Sequence, residues 1–253
     1  MGLVREEGAP LAAPAAVSDR GLRTQPSPPS APAIRQSPAR PTQAPVYAPP
    51  DDPIGNPPKE AVASAMDLPS LERCIQGCLA CPLGSGRFRF VFGEGDSKAR
   101  LMLIGEGPGK DEDQKGRPFV GKAGDLLEKM IGAIGFARNQ VYIANVVKCR
   151  PPDNRTPTPQ ESQACLGYLK RQIELIDPAV IVTLGATPLR ELVGVNVGIT
   201  KARGTWQRLE LHRAIPVMPT FHPAYVLRQY TDEVRRAVWS DLKEARKWLD
   251  EHP

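Results

Sequence analysis

Apolar positions recur along this chain with two different periods, and the change of period marks out its elements. Near-continuous apolar runs stand at 99–105 (ARLMLIG), 141–148 (VYIANVVK) and 179–185 (AVIVTLG). Each has the length and character of a strand buried on both faces. Between them the spacing becomes helical. Leu126, Leu127, Met130, Ile131 and Ile134 share one face of a segment over 122–134 that Gly135 ends. Thr158-Pro159-Gln160-Glu161 is a capping box with proline at the first helical position, predicting a helix to Ile176 that stops before Pro178. Short helices are predicted over 70–78 and from Thr187-Pro188, and a last helix over 231–249 with Val234, Val238, Leu242, Ala245 and Leu249 on one stripe. Residues 205–211 read as a strand pairing with 214–218. Buried strands alternating with helices predict an α/β fold, a three-layer α/β/α arrangement around a central, mostly parallel four-stranded sheet. Sites in such folds gather beyond the carboxyl ends of the strands. The loops that qualify begin at Gly105, Lys148 and Pro219, the first read as a long loop reaching Gly121.

Composition divides the chain unevenly. Residues 1–60 hold half of its 28 prolines, a single aromatic (Tyr47), and six basic residues balanced by six acidic ones. Such a segment cannot bury enough apolar surface to offset ordering entropy, so 1–66 reads as a disordered Pro/Ala/Ser-rich tail and 67–253 as the folded domain. The net charge of +5 therefore sits in the domain, a mild excess that permits a polyanionic partner without demanding one. The sequence has no apolar run long enough for a transmembrane helix and no convincing secretory signal, so an intracellular protein is expected, its cysteines reduced or metal-bound.

Four of the five cysteines invite a metal. Cys78 and Cys81 form a CxxC pair; Cys149 ends a strand, and Cys165, with fifteen residues between, lies on the helix that returns from it. Four thiolates suit zinc or an iron–sulfur cluster, and the dispersed second pair leans toward the cluster. The plainer alternative is a chance CxxC with two buried apolar cysteines. Cys74, four residues before Cys78, reads as a bystander. Gly105-Glu-Gly-Pro-Gly109 follows a strand but lacks both the dinucleotide and the P-loop signature, and the acids at 111–113 would repel phosphate. A backbone approached closely by a ligand, with a carboxylate nearby to position water, fits that loop better.

VFGEGD (91–96), GEGPGKDED (105–113), GRPFVGKAGDLL (116–127), NVVKCRPPDNRTP (145–157) and FHPAYVLR (221–228), together with the cysteine spacing, resemble the family 4 (iron–sulfur) uracil-DNA glycosylases over Cys78 to Leu249. The resemblance implies a [4Fe–4S] cluster on Cys78, Cys81, Cys149 and Cys165, structural and without a redox step. It implies an enzyme that flips uracil out of DNA and hydrolyses its glycosidic bond in base excision repair, a monomer of the bacterial cytoplasm, nucleoid-associated when bound to DNA. A repair or replication partner for the tail is a further expectation. By position in these motifs Phe119 stacks on the flipped base, Asn145 reads its O4 and N3–H edge, and His222 donates to O2 as negative charge develops. Glu106 and Gly107 touch the base, and Glu112 or Glu106 assists the attacking water. Tyr225, Val226, Leu227 and Arg228 contact DNA as wedge and phosphate ligands, with Arg117, Lys122, Lys148, Arg150, Arg155, Lys201 and Arg203 as further cations. Two rival readings stand beside this one: a glycosylase of the same fold for another deaminated or mismatched base, and a non-catalytic four-cysteine module binding nucleic acid.

Overall fold

The structure is a computed structural model that describes residues 55–253; of the tail expected over 1–66, residues 1–54 lie outside the described residues. The first helix, α1 (Lys59–Ser64), lies inside the stretch that composition assigned to the tail, yet its Val62 and the following Ala65 are buried. Next comes α2 (Leu68–Ile75), whose N-cap Asp67 accepts from Ser70 N and which buries Leu71 and Ile75. A short α3 (Pro82–Gly86) follows the CxxC turn.

The sheet has six strands rather than the expected four: β1 (Glu94–Gly95), β2 (Leu101–Gly105), β3 (Tyr142–Asn145), β4 (Val180–Leu184), β5 (Gln207–Glu210) and β6 (Ala214–Thr220), in spatial order β1-β3-β2-β4-β6-β5. The inner four are parallel and the two edges antiparallel. Of the two edges, β5 falls within the strand read over 205–211, whereas two-residue β1 is too short to have a period. The inner strands β2 and β4 are buried at every position, as apolar runs require.

Successive strand residues point to opposite faces and build two cores. Met102, Ile104, Tyr142, Ala144 and Ile181 meet α2 and α6 (Pro159–Ile176). On the other face Leu101, Leu103, Ile143, Val180 and Val182 meet α5 (Lys122–Ala133) and α10 (Asp232–Glu251). The chain leaves β2 for β3 on one side and returns to β4 on the other, so the crevice between the carboxyl ends of β2 and β4 is the topological switch point.

The segment 105–121 is not a continuous loop. It contains α4 (Lys110–Lys115), a helix without an apolar stripe to announce it. Electrostatics and capping form it: three acids occupy its first turn, the Glu112 carboxylate accepts from Gly109 N, and Gly116 closes it at φ +72°. After β4 come α7 (Ala186–Val193) and α8 (Ile199–Ala202), and after β6 the short α9 (Pro223–Arg228). Among the described residues no helix is long and apolar enough to cross a membrane.

Candidate functional site

The ends of β2, β3, β4 and β6 open into one cavity of about 720 Å³, lined by Glu106, Gly107, Phe119, Asn145, Thr187, His222 and Arg228 among others. The strand register sets its floor, because Gly105 pairs with Asn145 across β2 and β3. A side chain at 105 would close that floor: a Cβ there would collide with Asn145 Oδ1 and lie 2.6 Å from Phe119 Cζ. Asn145 is 2 % exposed, and its Oδ1 has no hydrogen-bond partner among the described residues. A buried carbonyl without a donor costs on the order of 1–3 kcal/mol. Such an orphan beside a cavity is an acceptor waiting for a ligand's N–H. The backbone of Asn145 is held from behind, where Lys148 Nζ donates to its carbonyl oxygen at 2.9 Å and to Gln172 Oε1 at 2.6 Å.

Phe119 sits in the left-handed region at φ +51°, unusual for an aromatic residue. Arg138 donates to the carbonyls of Pro118 and Phe119 and so grips that turn. The ring lies 5.6 Å from that of His222, centroid to centroid. His222 caps α9: Ala224 N donates to its Nδ1 at 3.1 Å. Desolvation by the surrounding protein, with Arg228 acting in the same direction, holds the imidazole down to about 4. At neutral pH the ring is therefore uncharged, and with Nδ1 accepting, its single proton is on Nε2. His222 is thus a neutral donor beside the phenyl ring. The other two histidines lie elsewhere, His212 bonding Asp177 and His252 stacking on Trp248.

The two candidate acids differ sharply. Glu112 is fully engaged: Oε1 accepts from Val120 N (2.9 Å) and Gly121 N (3.1 Å), and Oε2 from Gly109 N (3.1 Å). Asp113 is similar, accepting from Phe88 N and Arg89 N. Both carboxylates fasten loops. Glu106, also at the cavity, accepts from Thr187 Oγ1 alone among the described residues, at Oε2 and 2.6 Å.

Of the four residues named for DNA contact, Val226 is buried and packs in the core, so it cannot serve as an exposed wedge. Tyr225 is half-buried with its ring 4.9 Å from Phe221, whereas Leu227 is 40 % exposed and Arg228 is exposed. Helical geometry makes the difference, since one turn of α9 must face inward. The exposed Tyr230, just beyond, had no pattern to single it out. Lys148 is no surface cation: it is fully buried, and burial pulls it down to about 7 against the pull of the Cys165 and Cys149 thiols. Arg117, Arg155 and Arg203 are paired with Glu94, Glu161 and Asp241, and Arg150 bonds Asn154.

A second cluster lies on the α2–α6 side. All five cysteines are free thiols; Cys78, Cys149 and Cys165 are buried, Cys81 and Cys74 half-buried. Burial raises Cys149 to about 12 and Cys165 to about 11, and the neighbouring Cys81 thiol adds to both. The sulfurs already have donors around them: Tyr168 Oη lies 3.2 Å and Ala80 N 3.3 Å from Cys78 Sγ, and Arg87 Nη1 donates to Cys149 Sγ at 3.4 Å. Sequence reasoning missed Tyr168 and Arg87, which carry no motif. Among the described residues no three His, Cys, Asp or Glu side chains converge closely enough to hold a single ion.

The profile of the uracil DNA glycosylase superfamily matches residues 92–243. The chain is 49 % identical to the type-4 uracil-DNA glycosylase of Thermotoga maritima, over 69 % of this chain and 91 % of that one. It is 45 % identical to the protein of the same name from Sulfurisphaera tokodaii, over 71 % and 84 % of the two chains. The corresponding protein of Archaeoglobus fulgidus is 41 % identical, over 70 % and 90 %.

Proposed function

The chain belongs to the uracil DNA glycosylase superfamily, and from that membership we propose that it is a type-4 uracil-DNA glycosylase, a hydrolase that takes uracil out of the DNA stack and cleaves its N-glycosidic bond. The observation that carries this reading is the orphaned Oδ1 of Asn145 at the cavity floor. Uracil presents an N3–H donor and an O4 acceptor, which match Oδ1 and the amide N–H of one asparagine; cytosine presents the opposite pattern and would leave buried groups unpaired. Phe119 stacks on the extruded ring. The neutral Nε2–H of His222 donates to O2 as the base departs as an anion, in a site where a preformed donor needs no reorganisation. Glu106, the acid with a free carboxylate oxygen, orients the water whose oxygen bonds to C1′ as the bond to N1 breaks.

Cys78, Cys81, Cys149 and Cys165 are an all-thiol donor set with hydrogen bonds already directed at two of the sulfurs, which suits a [4Fe–4S] cluster. Such a cluster would tie together the segments that carry these residues and take no part in electron transfer. Leu227 and Arg228 form the DNA-facing edge of the site.

Incubation with oligonucleotides containing U:G, U:A or single-stranded uracil should give abasic sites, scored by alkaline cleavage. No excision from any of the three would overturn the proposal. Asn145→Asp, which loses the amide donor, should cut uracil excision by roughly 100-fold or more while DNA binding persists.

A further inference from the structure

We propose that Thr187 is the positioning residue for the water-orienting carboxylate of Glu106, a role resting on the reading of Glu106 given above. The two residues are 81 positions apart and meet across the switch-point crevice, one just after β2 and the other in the first turn of α7. Thr187 is buried, and its hydroxyl donates to Glu106 Oε2 at 2.6 Å, in the range of a charge-assisted bond. A threonine near a helix start ordinarily caps its own helix. Here Gly185, at φ +98°, holds the N-cap position, and Thr187, two residues further on, directs its hydroxyl across the crevice to Glu106. A hydroxyl has one proton, and this one is committed to Glu106. The bond fixes one carboxylate oxygen and leaves the other without a protein partner among the described residues, held where it can accept a hydrogen bond from water.

The experiment measures single-turnover uracil excision against DNA concentration for wild type, Thr187→Val, Thr187→Ser, Glu106→Gln and the double variant Thr187→Val/Glu106→Gln. Thr187→Val keeps the shape and removes the donor. It should lower the excision rate roughly tenfold and leave the half-saturating DNA concentration within about twofold. Thr187→Ser should restore the rate, and in the Glu106→Gln background Thr187→Val should have no further effect. A fully active Glu106→Gln would overturn the reading of Glu106 itself. An impaired Glu106→Gln beside an unimpaired Thr187→Val, or additive losses in the double variant, would overturn the positioning role alone.

Discussion

Phe119 shows how a single residue is held for a purpose. A left-handed aromatic residue is strained by about 1–2 kcal/mol, and the turn persists because Arg138 holds the carbonyls on either side. His222 is set with comparable care, and its titration has a consequence for stability. Its unfolded value is 6.5 and its folded value about 4, so between these the unfolded chain binds more protons. Stability contributed by the neutral ring is complete above 6.5 and is lost progressively as pH falls through 4. Denaturant titrations from pH 7 to 4 should show this loss, and His222→Asn should flatten it; excision should show no limb centred at 6.5. At this scale the motifs made Phe119, Asn145 and His222 legible. They did not separate Glu112 from Glu106, because the donors that engage Glu112 come from 109, 120 and 121, and their convergence depends on how α4 and the following turn close. Thr187 was legible only as a helix opener.

Among the elements, the inner strands and α5, α6 and α10 followed from apolar periodicity, since burial imposes that periodicity. Helix α4 did not, because charges and a cap form it rather than a buried face. Glu112→Gln tests its construction. The substituted amide can keep one acceptor for the N–H pair at 120 and 121, but it turns an N–H against Gly109 N. The variant should lose on the order of 1–3 kcal/mol of stability, read by denaturant melts. Uracil excision per folded molecule should fall far less than in Glu106→Gln. Burial also explains the misplaced wedge: FHPAYVLR reads as a loop, but as α9 it turns Val226 into the core and leaves Leu227 outside.

Over the whole molecule, the proposed cluster would tie together the turn before α3, the segment after β3 and the middle of α6, which carry Cys78 and Cys81, Cys149 and Cys165. Purified protein should be brown and contain iron and acid-labile sulfide. Removing the metal with a chelator after oxidation should lower the melting temperature and open the 76–90 segment to protease, as should Cys149→Ala; a colourless protein containing zinc would refute the cluster. The spacing of the cysteines allowed either metal, because sequence distance does not report how thiols are disposed in space. The base cavity, by contrast, owes its depth to one missing methyl group at Gly105. A single added carbon there would occlude the seat of the base and leave Leu227, Arg228 and the surface around them untouched. Gly105→Ala should therefore leave DNA binding in place and abolish uracil excision, a division between holding DNA and inspecting it that is one atom wide.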